Sequence, residues 1–170
     1  MKIRLSFVLI CLVSFGFKAH AQTTNYQAYS LFVYGVTKYM SWPTSGKTEF
    51  AIVVYGKSRV IDEMRKAFVG KSINGLPIKI TQIEELTGIE DPHVLYLSDG
   101  KSAQLEEIRK KTSGMPVLII AEREGLHKKG AGMSFIVVGD KLRIDVNNTE
   151  LQTRQIKTSG QIQPLINETI

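Results

Sequence analysis

Phe50-Ala51-Ile52-Val53-Val54-Tyr55-Gly56 is a nearly continuous apolar run closed by a glycine, which suits a strand covered on both faces within an α/β sheet. Just upstream, from Leu31 onward, an aromatic segment runs into Ser41-Trp42-Pro43. Tyr29, Phe32, Val33, Val36 and Met40 recur at helical spacing, so they form one face of an amphipathic helix that must pack on something. Pro43 cannot continue that helix, and it biases Trp42 away from helical geometry. The pattern predicts a helix over Asn25 to Ser41 that stops at Trp42, with Thr23-Thr24-Asn25 supplying its cap.

Beyond Gly56 the alternation continues. Val60, Ile61, Met64 and Phe68 give a buried face to a helix over Ser58 to Val69, with Ser58 as cap and Asp62 and Glu63 near its positive end. Asn74-Gly75 is a turn, Leu76 to Ile83 a second strand, Glu84 to Gly88 a turn or short helix, and His93 to Ser98 a third strand. Asp99-Gly100-Lys101-Ser102 opens a helix to Lys111, and Pro116 to Ala121 is a fourth apolar strand. This order implies a Rossmann-like, three-layer α/β domain with a mostly parallel sheet and right-handed crossovers. Met133 to Val138 and Lys141 to Val146, joined by Gly139-Asp140, then predict an antiparallel C-terminal hairpin at its edge. Thr149 to Thr158 reads as a last helix and residues 159–170 as a mixed tail with a frayed end.

The first residues follow a secretory pattern: Lys2 and Arg4, an apolar run from Leu5 to Phe17, then Ala19-His20-Ala21 as a cleavage site before Gln22. The expectation is a signal peptide over residues 1–21, cleaved after Ala21, and a single exported domain over residues 22–170. That run is short for a bilayer, and no later run is long enough. The single cysteine, Cys11, lies in the leader, so no thiol, disulfide or cysteine metal site is expected in the mature domain. Loss of Lys2, Arg4 and Lys18 lowers the net charge from +6 to +3, too mild and too dispersed to indicate nucleic acid.

Several of these pieces together resemble the YfiR family. They are the leader, Lys38-Tyr39-Met40-Ser41-Trp42-Pro43, the strand at Phe50, His93-Val94-Leu95-Tyr96-Leu97-Ser98, Pro116-Val117-Leu118, and Gly130-Ala131-Gly132-Met133-Ser134-Phe135 leading to Val146-Asn147. The resemblance is collinear over Asn25 to Ser159. It implies a periplasmic, non-enzymatic domain that controls an inner-membrane signalling protein with a periplasmic segment, either a diguanylate cyclase in cyclic-di-GMP signalling or a sensor kinase. It also implies that such domains can pair into homodimers. Many relatives carry cysteines beside the strand that begins at His93; Asp91-Pro92 stands there in this chain, so disulfide control is not expected.

Chemistry-bearing motifs are sparse. Gly-Lys-Ser occurs at Gly56, Gly70 and Gly100, but the glycine that a phosphate-binding loop needs further upstream is replaced by Ala51, Arg65 and Leu95. A weaker reading survives, in which Gly56-Lys57-Ser58 and Gly100-Lys101-Ser102 meet at the switch point of the sheet and bind a small ligand, an anion or an aromatic metabolite; ordinary turn chemistry is the alternative. His93 and His127 lack paired-ligand spacing, so a structural or surface role is expected and no metal is assigned. No Gly-x-Ser-x-Gly elbow or reactive cysteine supplies a nucleophile, and no catalytic residue or cofactor is assigned. Trp42, the sole tryptophan, either plugs the core or anchors a partner. Tyr34, Tyr39, Trp42 and Pro43 form the expected partner surface, since this helix carries more aromatic area than one buried stripe needs.

Overall fold

The computed structural model describes residues 25–43 and 46–170; the expected leader lies outside the described residues. Helix α1 (Tyr26–Lys38) is capped by Asn25, whose side chain accepts the Ala28 amide at 3.0 Å. There follow β1 (Met40–Ser41), β2 (Phe50–Tyr55), α2 (Val60–Ala67), β3 (Ser72–Ile73), β4 (Leu76–Ile83), β5 (Val94–Leu97), α3 (Leu105–Lys111), β6 (Leu118–Ala121), β7 (Met133–Val138), β8 (Lys141–Val146), α4 (Asn148–Thr153), β9 (Lys157–Thr158) and β10 (Ile166–Thr169). The main sheet runs β10-β8-β7-β6-β5-β2-β4-β3. Strands β4, β2, β5, β6 and β7 are mutually parallel, and β8 closes the hairpin antiparallel to β7. The strand order therefore reverses between β2 and β5.

Two-sided burial explains the continuous apolar runs. Val94 and Tyr96 of β5, with Leu118 and Ile120 of β6, face the layer that holds α1 and α2. Their neighbours Leu95, Leu97, Ile119 and Ala121 face α3, through Leu105 and Ile108. Successive side chains of a strand point to opposite faces, so every position must be apolar when both faces are covered. The link from β4 to β5 carries only a 3-10 turn, Leu86–Gly88. Gly130, at φ +98, lies so close to the Arg109 guanidinium that a β-carbon would collide with it.

Four expectations are corrected. Helix α1 ends at Lys38, before Ser41, because Met40 and Ser41 pair with Thr158 and Lys157. The last helix ends at Thr153, because Gln155 adopts φ +57 and β9 takes the following residues. The helix expected from Asp99 begins as a 3-10 segment, Asp99–Gln104, and becomes α-helical at Leu105. The tail is not frayed: Gly160–Leu165 is a 3-10 segment and β10 pairs in parallel with β8. Pairings between distant segments outcompete the local pattern in the first, second and fourth cases.

Two polar anchors lie inside this framework. Arg154 is buried, donates from Nε to Glu150 Oε1 at 2.7 Å, and donates from Nη1 to the Thr112 carbonyl and hydroxyl, each at 3.1 Å. It thereby ties α4 to the end of α3. His93 stacks on Phe50 with ring centroids 4.4 Å apart and accepts the Ala51 amide at Nδ1, 3.1 Å away. That acceptor role requires an unprotonated Nδ1. Burial, reinforced by Lys47, lowers the imidazole pKa to about 4, while Asp91 pulls weakly the other way.

Arg154→Ala should therefore cost about 3 kcal/mol, read by denaturant unfolding, because it leaves Glu150 partly unpaired in the interior. His93 should titrate in NMR with a midpoint near 4. The folded state holds His93 neutral, so its contribution to stability is complete above the unfolded pKa of about 6.5 and is lost as the pH falls toward 4. A midpoint near 6.5 would contradict the stacked, amide-accepting geometry.

Candidate functional site

The carboxyl ends of the parallel strands bring the two expected glycine turns together. The Gly56 amide donates to the Ile83 carbonyl at 2.8 Å, that of Ser98 to Tyr55 at 3.1 Å, and that of Glu122 to Leu97 at 2.9 Å. Gly56, Ser98 and Glu122 thus follow one another across the ends of β2, β5 and β6. Gly56 has φ +91, and a β-carbon there would collide with Ser98 Oγ and crowd Lys101 Cγ. Glycine is required because the two turns touch.

The charges at this edge are of both signs and mostly committed. Lys101 donates to the Glu84 carbonyl at 3.0 Å and lies 5.0 Å above the Tyr55 ring. Asp99 is paired with Arg123 at 2.6 Å, and its amide donates to Glu122 Oε2 at 3.3 Å. Burial raises the Glu122 pKa, against the pull of bonds from the Asp99 amide, Ser58 and Tyr26. Tyr29 of α1 packs 4.5 Å from Phe135, and burial raises its pKa as well. Lys57 and Ser58 line a separate depression of about 370 Å³ with Arg59, Arg65, Asp62 and Gln82, which Gly100, Lys101 and Ser102 do not line. Gly100 is exposed, and Ser102 Oγ is buried without a partner among the described residues.

Trp42 is half-buried and serves two purposes. Its indole Nε1 donates to the His93 carbonyl at 3.1 Å, and its ring meets Phe50 edge-on at 5.0 Å. Its other side forms a wall of an open groove of about 570 Å³, together with Pro43, Gln152, Gln155, Ile156 and Lys157. The short β1–β9 ladder holds this groove together, with Ser41 opposite Lys157. Gln155, Ile156 and Lys157 escaped the sequence reading, which had no signal for a chain reversal at Gln155 φ +57. Tyr34 and Tyr39 do not line the groove: Tyr34 packs 5.5 Å from Phe68 under the Lys71 ammonium, and Tyr39 lies beneath Lys38. Lys47 donates to the Asp91 carbonyl at 2.6 Å and pairs with its carboxylate at 2.7 Å. This contact ties together the loops that flank His93.

No curated protein matches the chain. Among solved structures, the ABC domain in complex with L-Trp from Streptococcus pneumonia is similar at TM-score 0.56 and 10% identity, covering 85% of this chain and 60% of that one. A conserved domain protein from Vibrio cholerae O1 biovar eltor is similar at TM-score 0.60 and 9% identity, covering 86% of this chain and 60% of that one. At these identities the likeness concerns the α/β fold, and the chain spans about three-fifths of each structure's length. Residues 26–165 match the model of the YfiR/HmsC-like proteins, and the chain belongs to the YfiR/HmsC-like family.

Proposed function

We propose that this chain binds the periplasmic part of an inner-membrane signalling protein, a diguanylate cyclase or a sensor kinase, through the groove at Trp42 and Pro43, and thereby controls its activity without catalysing a reaction itself. Family membership supports a periplasmic regulatory role in general, and among the described residues no helix is long and apolar enough to cross a membrane. The observation that carries the finer reading is the half-buried indole of Trp42. One side is fixed by its bond to His93, and the other is open in a groove with rim residues Gln152, Gln155 and Lys157 exposed. A rigid, pre-positioned tryptophan in a concave surface is a favoured anchor for a protein partner. Tyr34 and Tyr39 would extend the contact along α1.

A second reading is a small-ligand module. Lys57, Arg59 and Arg65 surround the depression at the start of α2 against the single carboxylate of Asp62, and Ser58 adds a hydroxyl; Gly56 precedes them in the chain. Three cations around one hollow favour an anion. Gly100, Lys101 and Ser102 would reach it only if Lys101 left Glu84. The L-Trp bound by the streptococcal neighbour suggests an aromatic metabolite as the other ligand class. Pyrophosphate should raise the melting temperature of the native protein but not of Lys57→Ala if this reading holds.

The partner reading is tested by crosslinking and capture from the native membranes. Gln152→Arg alters an exposed position and should change stability by less than about 0.5 kcal/mol, yet it should sharply reduce recovery of one inner-membrane protein with a cytoplasmic cyclase or kinase domain. Trp42→Ala should abolish recovery at a folding cost of about 2 kcal/mol, and Trp42→Phe should retain most of it, losing about 1 kcal/mol with the indole bond. Unchanged recovery in Gln152→Arg and Trp42→Ala would remove the groove from the contact.

A further inference from the structure

A second polar feature is built from residues that do not line the groove. Ser134 of β7 is in register with Asp145 of β8, and Asp145 is in register with Glu168 of β10. The three side chains therefore form a row across the edge of the sheet, continuing the line of Ala121 on β6, which is in register with Ser134. The 3-10 turn Leu126–Lys129 folds over this row and buries His127, which is 1% exposed. Asn147 secures the turn by donating to the His127 carbonyl at 2.8 Å.

The hydrogen bonds around the row orient specific atoms. His127 Nδ1 bonds Ser134 Oγ at 2.8 Å. Its other ring nitrogen, Nε2, is buried, has no hydrogen-bond partner among the described residues, and points toward Glu168 Oε2 at 3.5 Å. Asp145 receives the Asn167 side-chain amide on Oδ1 at 2.8 Å, while its Oδ2 lies 3.7 Å from His127 Nδ1. One donor atom from each of His127, Asp145 and Glu168 lies within 4.8 Å of the other two. This is how a metal site is usually supported, with the ligands held by outer hydrogen bonds to their remaining atoms.

We propose that His127, through Nε2, Asp145 and Glu168 bind a first-row divalent cation, for which Zn²⁺ is the best chemical fit. One imidazole and two carboxylates suit zinc, with water completing a tetrahedral set. Bonds of about 2.1 Å require donor atoms about 3.4 Å apart, so the row must close slightly. Glu168 is free to do this, because its side chain is 42% exposed on the edge strand. The Lys128 ammonium lies 2.9 Å from Glu168 Oε2 and depresses that carboxyl's pKa, acting as the cation at this oxygen until it is displaced into solvent. The bound ion would clip β10 to β8 and to the His127 turn.

Zinc titration of the untagged protein by calorimetry tests this. The expected result is one ion per chain with a micromolar or lower dissociation constant and a rise in melting temperature. Glu168→Gln should weaken binding by at least about tenfold, and Lys128→Ala should strengthen it severalfold. Asp145→Asn should weaken it like Glu168→Gln, while Ca²⁺, which has little affinity for imidazole, should bind far more weakly. Absence of saturable zinc binding, or affinity unchanged in Glu168→Gln, would overturn the proposal.

Discussion

The strands β2, β5 and β6 are apolar on both faces, and neither face can be left to water. Burying a leucine- or isoleucine-sized side chain is worth about 1.5–3 kcal/mol, so each of these strands demands cover on both sides. Helices α1 and α2 supply one layer, and α3 with the turn at Leu126 supplies the other. The reversal of strand order at β2 and β5 follows from this arrangement and forces Gly56 and Ser98 into contact. In many doubly wound folds that junction is a ligand crevice. Here it is packed with Tyr29, Tyr96 and Glu122, and burial raises the pKa of all three.

The groove at Trp42 and the row beneath His127 are built from residues outside that junction. Trp42 sits where the chain leaves α1 and is held by His93 at the start of β5, so its position inherits the rigidity of the core. The groove beside it exists because β9 returns from the far end of the sequence to pair with β1. Where the main sheet ends at β10, the apolar layer gives way to the row of Ser134, Asp145 and Glu168 beneath His127. The Lys47–Asp91 contact tethers the loops that precede β2 and β5 with an ion pair and a hydrogen bond.

Much of this was legible in the residues. Apolar runs and glycine turns located four of the five parallel strands, and Gly139-Asp140 marked the hairpin whose first strand is the fifth. These signals are local: a two-residue turn or a period in hydrophobicity is contained within its own segment. The ends of α1 and α4 were misplaced because Met40-Ser41 and Lys157-Thr158 pair with each other across most of the chain. The β10 strand was missed because Ile166-Asn167-Glu168-Thr169 alternates weakly and pairs at an edge. His127 read as part of a charged loop because its neighbours are lysines; its burial depends on Ser134 and Asp145, which no spacing rule connects to it. Trp42 was recognised as pivotal, but the residues that complete its groove could be found only once β9 was placed.

The central claim is that the face containing Trp42 contacts a membrane signalling protein. Its most direct test is site-specific photocrosslinking in living cells, with the reactive side chain placed at Gln155 in the groove or at Val69, which is 79% exposed and does not line it. The account predicts a crosslink from Gln155 to one inner-membrane protein that carries a cytoplasmic cyclase or kinase domain, and none from Val69. Equal crosslinking from both positions, or a crosslink from Val69 alone, would contradict it.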